Sequence, residues 1–455
     1  MIYRKIIEDL LLWKANFRRK PLILRGARQV GKTTVVSSFS KNFKQFIPLN
    51  LEKISDAKLF KDYRSMGELI DELFFRENLN KSEHDTLIFI DEIQQVPEAI
   101  NLLRYFYEEC PQYAVIAAGS LLETILGDKV TIPVGRVSYM ILRPVCFEEF
   151  LISRGNETAI NQFRKIPQDD FVFNKMLEEF HIYAQIGGMP EVLNHYLNHQ
   201  DLVQLNPIYD EIITSYTDDV DKYAKNPTMA QVLRHIIKNI GSEAGNRIKF
   251  QNFGNSNYRS REVSEAFFML EKAFLLTLIY PTISSEIPLF SDRKKSPKLQ
   301  ILDSGLLSFS AKIQNQFFRI NDLSEVFKGK MIEHLVGQEI LSSKNTVSNE
   351  IYFWTREKKD AEAEIDYIIL KNNFVIPVEV KSGATGRLRS LLNFMDEVKH
   401  HWAIRLYADR VSVNELKTPK GKTFYLLNLP YYLASKLENY IEWQMQAYPL
   451  KSTEN

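Results

Sequence analysis

Gly26-Ala27-Arg28-Gln29-Val30-Gly31-Lys32-Thr33 fits the pattern G-x-x-x-x-G-K-[ST]. Each residue type suits one task. The glycines let backbone N–H groups wrap around phosphates, and a following helix turns its positive end toward them. Lys32 reaches the terminal phosphates, and the Thr33 hydroxyl reaches Mg²⁺. The pattern carries weight only between a strand and a helix, and the apolar run Leu22 to Arg25 stands directly before it. Further on, Leu87-Ile88-Phe89-Ile90-Asp91-Glu92 reads as a buried strand ending in two acids. There, Asp91 suits Mg²⁺ held through water, and Glu92 suits polarisation of an attacking water. The two segments together imply ATP and Mg²⁺ as cofactors, with hydrolysis of the nucleotide as the reaction.

Three other constellations bear on chemistry. The next apolar run ends in Ala117-Ala118-Gly119-Ser120, which places Ser120 either at the γ-phosphate or at the cap of the next helix. Arg136 is the arginine best placed to neutralise charge during phosphoryl transfer, although pairing with an acid would explain it equally. Toward the C-terminus, Asp366 lies on one predicted strand and Glu379-Val380-Lys381 on the next. Alternation along the second strand turns Glu379 and Lys381 to the same side. Two carboxylates with a nearby lysine suit metal-dependent cleavage of a phosphodiester, the acids holding Mg²⁺ and Lys381 orienting water. By contrast, Glu191, His195 and His199 recur every fourth residue, but without a further ligand they read as a solvated helix face.

These groups need elements to hold them. Apolar strands at 21 to 25, 46 to 51, 87 to 90, 114 to 118 and 137 to 142 alternate with segments long enough for helices, the pattern of a parallel sheet with crossover helices. An amphipathic helix precedes them, with Ile2, Ile6, Leu10, Trp13 and Phe17 on one face. Residues 151 to about 315 read mainly as helices, with a turn at Gly187-Gly188-Met189-Pro190 whose proline suits a helix start. Within them, helices at Gln231 to Ile240 and Ser260 to Leu276 precede two strands joined across the basic loop Ser291 to Lys298, the order of a winged helix. Phosphate contact by that loop and by Arg259 and Arg261 would give DNA or RNA as a partner. The last part alternates strands and helices again, with a hairpin turn at Lys371-Asn372-Asn373.

Composition limits the classes. At 455 residues, the chain suits about three domains. Hydrophobic residues at 45% and charged residues at 25% exclude wholesale disorder and a membrane bundle. Lys and Arg number 58 against 57 Asp and Glu, so any nucleic-acid face is local rather than global. Two cysteines, Cys110 and Cys146, are too few for a disulfide framework. No apolar run reaches spanning length, and the N-terminus does not read as a signal peptide, so a soluble cytoplasmic protein without membrane partners is expected.

Gly26 to Thr34, Leu87 to Gln94, Gly119-Ser120 and Gly135-Arg136 together resemble a prokaryotic family of AAA-type ATP-binding proteins. The resemblance continues through Leu142-Arg143-Pro144, Phe147 to Phe150, Gly187 to Glu191, Leu302 to Leu306, Glu364-Ile365-Asp366 and Glu379-Val380-Lys381. It implies an α/β chain in three parts: a P-loop AAA-type ATPase domain over 1–150, a helical and winged-helix region over 151–320, and a domain of unknown function over 321–455 similar to PD-(D/E)xK nucleases, with a restriction-endonuclease-like fold. It also implies Glu333 as a further metal ligand beside Asp366 and Glu379, with Glu339 a poorer candidate, and extends the nucleotide contacts to Thr34. The expected function is a Mg²⁺-dependent ATPase switch coupled to a nuclease-like domain. The alternative is a nucleotide-gated interaction protein whose nuclease-like domain is inactive.

Overall fold

The computed structural model describes residues 2–119, 133, 135–314, 329–346, 351–358, 361–381, 383 and 388–450. Five strands, β1 (Leu22–Arg25), β2 (Gln45–Asn50), β3 (Thr86–Asp91), β4 (Ala114–Ala118) and β5 (Ser138–Ile141), form a parallel sheet in the order β2-β3-β4-β1-β5. Side chains alternate between its faces. Leu22, Leu24, Leu87, Phe89, Ala114 and Ile116 enter one core with the helices Ile6–Ala15 and Lys32–Phe39. Ile23, Ile88, Ile90, Val115 and Ala117 enter the other with the helices Met66–Arg76 and Pro97–Glu109. Burial on both faces explains why these strands read as continuous apolar runs. Phe17, expected on the buried face of the first helix, is instead exposed, because that helix ends at Ala15 and Asn16 turns extended.

The middle region is helical as expected, with Pro190 at the first position of the helix Pro190–His199. The helix Pro227–Glu243, a short turn at Phe253–Asn255 and the helix Ser260–Lys272 lead to β6 (Leu276–Ile279), which pairs antiparallel with β8 (Lys298–Ile301). Between them the chain does not close as a simple wing: β7 (Pro281–Thr282) leaves the ribbon and joins the C-terminal sheet beside β9 (Tyr352–Lys358).

That second sheet begins with the helix Lys330–Ser342, followed by the antiparallel run of β9, β10 (Ala361–Lys371) and β11 (Phe374–Val380). After the helix Arg389–Met395, β12 (Trp402–Tyr407) lies parallel to β11, and β13 (Ser412–Lys417) and β14 (Thr423–Pro430) complete the order β13-β14-β12-β11-β10-β9-β7. The β9–β10 register shifts between Ile365 and Ile368, so Asp366 and Tyr367 sit at a bulge, a device that re-aims side chains.

Candidate nucleotide site and a second acidic cluster

The C-terminal ends of β1 and β3 bring the predicted phosphate-binding residues together. Gly26 has φ 145°, and a Cβ there would lie 2.2 Å from the Leu142 carbonyl oxygen, so only glycine fits. Gly31, at φ 92°, turns the chain into the helix that starts at Lys32. The Lys32 ammonium is buried and donates to the carbonyls of Gly26 at 2.9 Å and Ala27 at 2.8 Å. Burial draws its pKa down to about 8. An anionic ligand at the loop offers this cation a stronger partner than two neutral carbonyls, which is the fit expected for a phosphate. Thr33 Oγ1 donates to Asp91 Oδ2 at 2.6 Å, which places hydroxyl and carboxylate together as a Mg²⁺ site requires.

Glu92 follows in the left-handed region at φ 50°, with its N–H on Asp91 Oδ1 at 3.0 Å. Its carboxylate accepts from the Gln94 side-chain amide, and burial raises its pKa. Arg28, Gln29, Gly31, Lys32, Thr33, Thr34 and Glu92 line a cavity of about 460 Å³, within the usual range for small-molecule sites. Val30 is buried beneath it, its carbonyl accepting from Arg4 Nη1 at 2.9 Å. Residues that sequence reasoning did not assign to this site complete the wall: Ile2, Arg4, Val35, Pro190, Glu191 and Asn194. The Gly-Gly turn before Pro190 was the available signal. Arg28 also pairs with Asp219, and Tyr216 donates to the Arg28 carbonyl at 3.0 Å, so the helical region grips the phosphate loop directly.

Not every predicted catalytic residue joins them. Arg136, expected at the phosphates, is not among the residues that line the cavity; its Nε donates to Glu108 at 2.8 Å on the surface. Ion pairing, the simpler of its two readings, describes that contact. Ser120 lies outside the described residues.

Beside the site, a buried network links the family-like segments. The Asp303 carboxylate accepts from the N–H groups of Gly188, Gly305 and Leu306. Glu339 Oε1 accepts from the Phe147 N–H at 3.0 Å and from the Tyr183 hydroxyl at 2.9 Å. Gln338 donates to that same hydroxyl at 2.8 Å and accepts from the Ser304 N–H at 2.8 Å. Glu339 is thus a structural link rather than a metal ligand. Burial raises its pKa to about 7 from an ordinary 4.5. A raised carboxyl stabilises the fold fully below the unfolded value and loses that contribution as pH rises through the folded one. Denaturation midpoints should therefore show wild type losing about 2 kcal/mol more than Glu339→Gln between pH 5.5 and 8.5. Parallel pH profiles would refute this assignment.

The C-terminal acids cluster around an unexpected cation. Lys298, expected in an exposed basic loop, is buried in β8. Its ammonium lies 2.7 Å from Glu333 Oε1, 2.7 Å from Glu364 Oε1 and 3.4 Å from Asp366 Oδ1. Although burial alone would lower its pKa, Glu333, Asp366 and Glu364 hold it well above the ordinary value. Asp366 Oδ2 accepts the Val380 N–H at 2.8 Å, and Glu379 near the end of β11 pairs with Lys381, the residue just past that strand. Burial and then Asp366 push the Glu379 carboxyl up to about 8. Among the described residues, no group of three or more His, Cys, Asp or Glu side chains is gathered closely enough to hold a metal ion. Glu333, Asp366 and Glu379 therefore do not form the expected metal set in this arrangement, because Lys298 takes the central position. The rings of His195 and His199 lie 4.5 Å apart and tilted by 41°, with no metal set around them among the described residues, while Glu191 turns out to line the nucleotide cavity.

With this geometry in view, the comparisons with known proteins define the class. Residues 18–151 match the model of an AAA domain, residues 177–316 a domain of unknown function (DUF8612), and residues 328–432 another domain of unknown function (DUF4143). No curated protein matches the chain. Three solved structures resemble it weakly. A Walker-type ATPase of Pyrococcus abyssi is 14% identical, over 68% of this chain and 96% of its own, at a TM-score of 0.43. A RuvB variant of Thermotoga maritima is 14% identical, over 64% and 93%, at 0.28. The Drosophila ORC bound to DNA is 15% identical, over 65% and 90%, at 0.24. These superpositions are too loose to carry an argument. The domain match, the parallel sheet and the phosphate loop define residues 18–151 as an AAA-type, P-loop ATP-binding domain. No helix among the described residues is long and apolar enough to cross a membrane.

Proposed function

We propose that this chain is a Mg²⁺-dependent ATPase whose nucleotide occupancy switches the arrangement of its helical and C-terminal parts. The contact between Thr33 and Asp91, with Glu92 beside it on the cavity wall, carries the reading. Lys32, Thr33 and the backbone around Gly31 bind the phosphates. Thr33 and Asp91 would hold Mg²⁺, which neutralises charge on the phosphates when bound. Glu92 orients water and takes its proton at the carboxylate. Pro190, Glu191 and Asn194 form the opposite wall, so the helical region senses whether the cavity is filled.

The C-terminal domain supports a second assignment. A helix, three antiparallel strands, a helix and a parallel strand, with acids at the bulge of β10 and the end of β11, suit a restriction-endonuclease-like fold acting on DNA or RNA. Lysines already hold those acids, which favours a regulated or silent nuclease over a constitutively cutting one. The β6–β8 ribbon and the basic residues Arg293, Lys294 and Lys295 remain the proposed winged-helix surface for nucleic acid.

Calorimetry on the full chain tests the nucleotide assignment. Lys32→Ala should weaken ATP binding roughly 100-fold, because a charge-assisted contact contributes about 1.5–3 kcal/mol. Unchanged affinity would remove the basis for the ATPase reading.

A further inference from the structure

Arg136 pairs with Glu108 on the surface, while another arginine, Arg28, lines the nucleotide cavity itself together with Lys32, Thr33 and Glu92. It belongs to the phosphate loop. Its Nη1 donates to Asp219 Oδ2, and the Tyr216 hydroxyl donates to its backbone carbonyl at 3.0 Å, so side chain and backbone are both held from the helical region.

Asp219 holds this guanidinium without using it up. The carboxylate lies at the junction of the helices Asn206–Asp218 and Val220–Tyr223, its side chain is 8% exposed, and its Oδ1 lies 2.7 Å from Lys222 Nζ. Each oxygen therefore has its own cation. Arg28, by contrast, has 42% of its side chain exposed, and among the described residues no other acceptor engages its remaining N–H groups. A guanidinium presents five donors in a planar fork, so those left over are open to a second anion.

Lys222 shows which way the fork leans. It lines a neighbouring cavity with Leu51, just past β2, and Gln95, shortly beyond Glu92. The row Arg28, Asp219, Lys222 thus runs from the phosphate loop toward the ends of β2 and β3, where Asp91 and Glu92 stand. A water activated by Glu92 has to meet the outermost phosphate, which puts that phosphate at the same edge.

We propose that Arg28 is a catalytic residue that reads the γ-phosphate: its unshared N–H groups bind that phosphate's oxygens, and Asp219 is the positioning residue that holds the fork toward them. The proposal rests on the ATPase reading of the cavity. In the step, the water oxygen bonds to the γ-phosphorus and its proton passes to Glu92. The bond from that phosphorus to the ADP oxygen breaks, and its electron pair stays on ADP. Negative charge spreads over the transferred and leaving oxygens, and a cation already fixed beside them needs no reorganisation. Because Asp219 belongs to the helical region, gain or loss of the third phosphate reaches that region through one ion pair.

Calorimetry with ATP and with ADP in Mg²⁺, and single-turnover hydrolysis at saturating ATP, test this on the full chain. Arg28→Ala should lower ATP affinity at least about tenfold and leave ADP affinity within about threefold, because ADP lacks the group that Arg28 contacts. Its hydrolysis rate should fall by about 100-fold or more. Asp219→Asn should slow hydrolysis about tenfold with KM within about threefold, the mark of a misplaced rather than missing contact. Lys222→Ala removes the other partner of Asp219 and should change the rate less than about twofold. Equal losses of ATP and ADP affinity in Arg28→Ala would make Arg28 a prop for the loop and overturn the proposal, as would an unchanged hydrolysis rate. Lys222→Ala as slow as Asp219→Asn would equally remove the positioning role. Should Arg28→Ala not fold, Arg28→Lys decides: it keeps the charge but loses the fork, so hydrolysis should slow at least about tenfold, and the wild-type rate would overturn the proposal. Nucleotide bound but not hydrolysed by the wild type would defeat the ATPase reading alone, and the ATP-over-ADP preference of Arg28→Ala would still decide the γ-phosphate contact.

Discussion

Replacing Glu92 with Gln is expected to leave ATP affinity within a fewfold of wild type while lowering turnover by about two to four orders of magnitude, the range a positioned general base supplies. The binding half follows from position. Lys32, Thr33 and the loop glycines are the proposed phosphate contacts, whereas Glu92 stands beside Asp91 at the end of β3 and accepts from Gln94. Gln keeps the volume and can still take part in a hydrogen bond with Gln94, so the wall keeps its shape. It cannot accept a proton from water. Burial already raises the pKa of Glu92, strengthening it as a base relative to an exposed carboxylate. Single-turnover hydrolysis of radiolabelled ATP, alongside equilibrium binding, separates the two effects. A variant that hydrolyses ATP at the wild-type rate would show that Glu92 does not activate water.

The sequence made some of this arrangement legible and hid the rest for physical reasons. The phosphate loop and the acids ending β3 were readable because their chemistry is contiguous: a backbone cradle needs neighbouring glycines, and a strand end delivers adjacent residues to one sheet edge. Continuous apolar runs likewise betrayed a sheet buried on both faces. Arg136 was singled out by chain proximity to Gly135, which says nothing about direction, and Glu108, on a preceding helix, is what it meets. Lys298 was misread because its charge matched the exposed run before it. The contrary sign was local: Lys-Leu-Gln-Ile is a strand with all four residues buried, and a lysine there must find acids. Which acids it finds depends on packing between distant segments, which no periodicity encodes.

The same limit hid the network around Asp303, where the largest effect on stability is expected. Asp303→Ala should lower stability by about 4 kcal/mol or more, since it strands three buried N–H donors, each costing about 1–3 kcal/mol when unmet. Neighbouring structure cannot collapse to help: a Cβ on Gly187 would lie 2.3 Å from Asp303 Oδ1, and one on Gly188 would lie 2.1 Å from the Val145 carbonyl oxygen, so the backbones are already in contact. Asp303→Asn retains one acceptor oxygen for the Gly305 and Leu306 donors but turns an amide N–H₂ toward Gly188, so an intermediate loss is expected. Nucleotide affinity should fall with stability, because the Gly188 held by Asp303 leads directly into Pro190 and Glu191 on the cavity wall. Chemical denaturation and ATP titration of both variants measure the pair of effects. A loss below about 1 kcal/mol in Asp303→Ala would mean that the turn holds itself without the carboxylate. Full ATP affinity in a destabilised but folded Asp303→Ala would instead separate the wall of the nucleotide cavity from the network that joins it to the helix carrying Glu333 and Glu339.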